Sequence, residues 1–182
     1  MAGMMAFLAG TAANIWLSWR SLRVPGTHGF YRFFALEAIL GLFILNHEPW
    51  GQNPDSLHQF FARLLMLLSL TLVCLGLLQL KRAGRVAEER DDATLYTFEK
   101  TTRLVTSGIY AHIRHPMYAS LLALAWGAYL HAPSLAGSLL AAFASLCLWL
   151  TALADERECL AYFGAEYANY MRRTRRFIPG LY

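Results

Sequence analysis

Long apolar blocks separated by short polar segments run along nearly the whole chain. Ala2–Trp19, Phe30–Leu45, Phe60–Leu80, Pro116–Leu130 and Leu135–Ala154 approach or reach the roughly 17 to 25 residues a helix needs to cross a bilayer. The second and fourth are the short ones. The pattern predicts an all-α integral membrane bundle of about five transmembrane helices, forming one domain over residues 1–182. Residues 1–80 supply the N-terminal spans, and residues 81–182 supply a polar loop, a helical hairpin of the fourth and fifth spans, and a polar tail.

The polar segments orient the bundle. Arg20, Arg23 and Arg32 flank the first connection, Lys81 to Arg114 crowd the third, and Arg157, Arg172, Arg173, Arg175 and Arg176 lie in the tail. Asn46–Gln59 and His131–Ser134 contain no Lys or Arg. Basic loops stay cytoplasmic, so the N-terminus is expected outside and the C-terminus inside, as in a bacterial inner membrane. Met1 to Ile15 has no basic start and closes on Trp16, Trp19 and Arg20, the mark of a retained first helix rather than a cleaved signal.

Composition narrows the class further. At 57% hydrophobic and 15% charged, the chain has too little polar surface to coat a soluble globule. The net charge of +4 sits beside the apolar blocks rather than in a basic stripe, which argues against nucleic-acid binding. Three cysteines without CxxC spacing imply no disulfide framework.

Chemistry is expected where the hairpin brings two polar clusters to one membrane boundary. Tyr110, Arg114 and His115 precede Pro116, a residue suited to the first turn of a helix whose free N–H groups favour an anion. Asp155 and Glu156 follow the fifth span and suit an ammonium or ribose hydroxyls. Tyrosines nearby offer faces for an aromatic base. Each residue alone is explained as readily by topology or helix capping; the tyrosines, histidine and acid pair together are not.

Gly108-x-Tyr110-x-x-x-Arg114-His115-Pro116-x-Tyr118, then Asp155-Glu156 and Phe163-Gly164-x-x-Tyr167-x-x-Tyr170, closing on Phe177-Ile178-Pro179, resembles the isoprenylcysteine carboxyl methyltransferase family and its phospholipid methyltransferase relatives. The resemblance covers roughly the last 80 residues. It implies a membrane methyltransferase that uses S-adenosylmethionine in a non-Rossmann cytoplasmic cleft and acts on a lipophilic acceptor reaching it from the bilayer: an isoprenoid carboxylate or thiol, or a lipid amine. Gly108, Ile109, Tyr110, His115, Tyr118, Asp155 and Glu156 are implied at the cofactor, with Arg114, His115 and Glu156 as the catalytic set. Tyr167, Arg172 and Arg173 are candidates at the acceptor. Asp155 stands where the family usually has Glu, and Cys159 where it often has Leu. Asp155-Glu156-x-x-Cys159 and the terminal Tyr182 also look like the tail of membrane sterol reductases, so an NADPH-dependent reductase is the alternative, and a non-catalytic scaffold a third.

Other residues carry less. Glu37 is ionisable within the second span, which suggests either contact with the acceptor or an ion pair inside the bundle. His112 and His115 lack further ligands, so no metal is expected. Arg82–Thr106 mixes charge with Leu95, Tyr96, Phe98 and Leu104, as expected of an amphipathic stretch lying on the interface and covering the cofactor, with a mobile connecting loop as the alternative.

Overall fold

A computed structural model describes residues 2–47, 56–84 and 102–181. Among these residues the protein is all-helical, with six α-helices. They are α1 (Ala2–Leu22), α2 (His28–Leu45), α3 (Leu57–Ala83), α4 (Pro116–His131), α5 (Leu135–Phe163) and α6 (Ala165–Arg173); a short 3-10 turn, Gly108–Ala111, precedes α4. Of the six, α2, α3 and α5 are long and apolar enough to cross a membrane. The expected interfacial lid over Arg82–Thr106 falls mostly outside the described residues.

Packing is organised around α4. Its buried residues, among them Tyr118, Ala119, Ser120, Ala123, Ala125, Gly127 and Ala128, lie all round the helix, as befits an element with neighbours on every side. It lies along α3 on one side and against α5 and α2 on the other, while α2 packs along α5 and α1 packs on α2. The seams use small residues: Ala38, Ala125, Ala128, Ala141 and Ala144 form one core cluster with Ile39 and Leu42. In lipid, association depends on such close approach, because an apolar side chain gains little by leaving apolar surroundings. Gly127 illustrates the tightness, since a Cβ there would stand 3.2 Å from the Ala62 carbonyl oxygen.

At one end of α4 the exposed helix carbonyls are capped from outside the helix. Asn46 Nδ2 donates to the Ala128 carbonyl at 2.7 Å, and Gln59 Nε2 donates to the His131 carbonyl at 2.8 Å. The other end of α4 begins at Pro116, as expected, and carries the candidate site.

One boundary differs from expectation. Hydropathy ends the fifth span at Ala154, yet α5 continues to Phe163, so Asp155 and Glu156 lie within the helix rather than beyond its end. Hydropathy reports where apolar surroundings stop, not where the backbone stops being helical. Nothing from Asp155 to Phe163 breaks a helix; termination comes at Gly164, whose φ of +56° suits a residue without Cβ. The turn there lets α6 fold back with Tyr167 and Tyr170 buried.

Candidate functional site

The sequence at the start of α4 cannot hold itself in place, because His112 to His115 form no regular element. The tail does it. Arg114 N donates to the Arg175 carbonyl at 2.7 Å, His115 N to the Arg176 carbonyl at 3.1 Å, and Arg175 N to the His112 carbonyl at 3.2 Å. This short parallel pairing, centred on Ile113 and Arg175, seats the tail beside the N-terminus of α4.

Glu156 joins the two segments through its side chain. It is 5% exposed, and its carboxylate accepts from Arg114 Nε at 2.9 Å and from Arg176 Nε and NH2 at 3.0 and 2.7 Å. Arg114 NH1 also donates to the carbonyls of Met171 and Thr174. His115 sits between the two acids, with Nε2 3.3 Å from Glu156 Oε1 and Nδ1 3.5 Å from Asp155 Oδ2. Burial alone would lower its pKa, but the hydrogen bonds and charges of Asp155 and Glu156 outweigh that and leave it raised above 6.5. Two arginines and a histidine around one buried carboxylate satisfy its lone pairs, the condition under which a buried charge is tolerated.

In front of this cluster lies a cleft that encloses about 810 Å³ of space, part of it open to the surroundings. Its walls come from four helices and the loop before α4. Arg114, His115, Asp155 and Glu158 give the charged side, Tyr110, Tyr118, Tyr167 and Tyr170 the aromatic side, and Leu80, Val105, Met117 and Phe163 the apolar side. Tyr118 OH donates to Asp155 Oδ2 at 3.1 Å, and its ring stacks on His115 at 5.3 Å. Tyr170 OH donates to the Tyr110 carbonyl at 2.7 Å, closing α6 over the 3-10 turn. Burial pushes the Tyr167 and Tyr170 phenols up, so both are neutral donors rather than phenolates.

The structure therefore gathers Tyr110, Arg114, His115, Tyr118, Asp155 and Tyr167 in one cleft. Glu156 stands behind that wall, engaged with the arginines. Gly108 and Ile109 form the turn leading into Tyr110; Gly108 is exposed, with φ +63°, beside Gln79. Arg172 and Arg173 point away on the exposed side of α6, where Arg172 hydrogen-bonds Asn169. Glu37 lies against α1: its oxygens accept from Thr11 Oγ1 at 2.8 Å and Asn14 Nδ2 at 2.7 Å, tying α1 to α2. Sequence reasoning missed Glu158, which lines the cleft, and the part played by Arg176. No sequence signal marked either, since Arg176 reaches Glu156 only because the tail pairs with the segment before α4. Among the described residues no group of three or more metal-ligating side chains occurs.

A family model described as phospholipid methyltransferase matches residues 57–165, more than half of the chain and all of α3, α4 and α5. The chain belongs to the phospholipid methyltransferase family. That membership agrees with the resemblance carried by Arg114-His115-Pro116 and Asp155-Glu156. Methanethiol S-methyltransferase 2 of Bradyrhizobium diazoefficiens is 37% identical over 76 residues, which cover 41% of this chain and 28% of that protein. The aligned stretch is thus little more than a quarter of that relative's length. No solved structure matches the chain. α1 and α2 lie outside the stretch that the family model matches.

Proposed function

We propose that the cleft before α4 binds S-adenosylmethionine and that the protein transfers its methyl group to a lipophilic acceptor. The observation that carries this reading is the convergence of Asp155, His115, Arg114 and four tyrosines on one cleft in a member of this family. The chemistry of the walls suits the cofactor. Asp155 offers a carboxylate to an ammonium or to hydroxyls, the α4 N-terminus with Arg114 and His115 favours a carboxylate, and the tyrosine rings accept a stacked base. When bound, S-adenosylmethionine supplies an electrophilic methyl group on a sulfonium.

Arg114, His115, Tyr110, Tyr118 and Asp155 are the residues proposed to touch the cofactor, with Tyr167 nearer the acceptor. Glu156 acts through Arg114, His115 and Arg176 as a positioning residue. In-line displacement needs a fixed nucleophile and an enclosed site more than it needs a strong base. The wall is built accordingly: Glu156 already accepts several hydrogen bonds, His115 is flanked by two carboxylates, and the tyrosine phenols are neutral. An acceptor that arrives ionised, such as a thiolate or carboxylate, fits this wall better than an amine needing deprotonation. The Bradyrhizobium relative is named for a thiol, which reacts as its thiolate and gives up its proton at or before transfer. Leu80, Met117 and Phe163 would take the acceptor's apolar part.

The same reading makes residues 1–182 one membrane domain of about five spans, with residues 81–182 as the catalytic half. The N-terminus lies outside and the cleft faces the cytoplasm, as the basic loops favour. Calorimetric titration of S-adenosylhomocysteine into detergent-purified protein, with NADPH in parallel, tests it. Binding of the adenosyl ligand alone is expected. Binding of NADPH alone, or of neither, overturns the reading, while a panel of thiols, prenylated carboxylates and lipid amines then identifies the acceptor.

A further inference from the structure

α2 opens beside the cleft although it belongs to the N-terminal part of the chain that the family match leaves out. Thr27 caps it, and the first helical residue, His28, is fully buried. Both donors at this position go to one side chain on α5. His28 N donates to Glu158 Oε1 at 2.9 Å, and His28 Nδ1 lies 2.5 Å from Glu158 Oε2. Next to it, Arg157 NH2 donates to the Gly26 carbonyl at 3.2 Å, fastening the α1–α2 turn to the same stretch of α5.

Glu158 differs from Glu156 in one respect that matters. It lines the cleft and keeps 31% of its side chain exposed, whereas its partner His28 is 1% exposed. A carboxylate fixed through both oxygens from behind, at the favourable positive end of a helix, loses little rotamer freedom when it accepts a further hydrogen bond. Glu158 sits one turn beyond Asp155 on the wall that also carries Cys159. The cleft thus has two acids on one helix face, and the second is set by α2.

We propose that His28 is a positioning residue for Glu158, and that Glu158 is a further ligand-binding residue of the cleft, accepting from hydroxyl or ammonium groups of the adenosyl ligand. This rests on the cofactor assignment above. It makes the N-terminal helices part of the binding site rather than only an anchor. The buried ring serves orientation, so its replacement acts on affinity through the geometry of Glu158.

The test is S-adenosylhomocysteine affinity by calorimetry in the full-length protein. His28→Ala and Glu158→Gln are each expected to weaken binding by about tenfold or more, as loss of a hydrogen bond to a charged group implies. His28→Asn, whose side-chain amide can stand where Nδ1 stands, is expected to recover to within about threefold of wild type, and His28→Ala should add little once Glu158→Gln is present. Equal losses for His28→Asn and His28→Ala, or additive losses in the double variant, overturn the positioning role. If His28→Ala does not fold, wild-type affinity in Glu158→Gln overturns the proposal by itself. Failure of the wild type to bind the ligand sinks the cofactor assignment with it, while wild-type binding that survives Glu158→Gln sinks this inference alone.

Discussion

α3 and α5 are of nearly equal length, 27 and 29 residues, and both are apolar enough to cross a bilayer, yet they use their surfaces differently. α3 buries only Gln59, Ala62, Ser69 and Gly76; the last three recur every seven residues and form a narrow seam against α4. Leu64, Leu67, Leu68, Leu70, Leu75 and Leu78 stay outside. α5 buries Gly137, Ala141, Ala144, Leu148 and Thr151 along its length and then, past the apolar part, Glu156. Hydropathy alone would make α3 the deeper core helix. In lipid the order reverses, because leucine is content outside and the interior goes to small residues and satisfied charges.

The largest test of that contrast is Glu156→Ala, which leaves Arg114 and Arg176 in a buried site without their carboxylate. A loss of about 3–5 kcal/mol is expected, read as a fall in unfolding temperature of the detergent-solubilised protein together with loss of adenosyl-ligand binding. Retention of both would remove the cluster from the account. Gly127→Leu should come next, since even a Cβ there meets the Ala62 carbonyl oxygen at 3.2 Å; overpacking of the α3–α4 seam should cost about 1–3 kcal/mol or prevent folding, as thermal unfolding would report.

Glu37→Ala removes the acceptor of two hydrogen bonds from α1, and about 0.6–1.7 kcal/mol per bond is expected by the same measurement, with adenosyl-ligand affinity unchanged. A drop in affinity would return Glu37 to the site. A smaller effect should appear with pH. His115 has a raised pKa in the folded protein, so its contribution is fully present below the ordinary value of 6.5 and is lost as pH rises through the raised one. Unfolding temperature should therefore decline across that window, and His115→Gln should flatten the decline. Leu67→Ala, on the outer face of α3, should change stability by less than about 0.5 kcal/mol. A core-sized loss there would mean that α3 packs against something besides lipid.

Much of this was legible beforehand for stated reasons. The five apolar blocks correspond to α1 to α5 within a few residues at most ends, because a helix in lipid must satisfy its backbone internally and cover itself with apolar side chains. The meeting of Arg114-His115 with Asp155-Glu156 followed from a short hairpin joining two adjacent helices. What the two acids would do was not legible. They are neighbours in sequence, but on a continuous helix consecutive residues point about 100° apart, so Asp155 faces the cleft and Glu156 faces the arginines. Hydropathy ended the helix before them and hid this. Nor was the orientation of Arg172 and Arg173 legible, since α6 turns Tyr167 and Tyr170 inward and leaves the arginines exposed.

The chain's own pattern thus determined that it is helical and built for a membrane, where the helices begin, and which end of the bundle holds polar chemistry; those follow from local composition and from the bilayer as solvent. Only the tertiary structure decided which acid lines the cleft, that Glu37 clamps α1, and that His28 reaches Glu158 across 130 residues. These are outcomes of helix rotation and neighbour choice, set by packing among small side chains whose spacing along the chain does not say which helix each will meet.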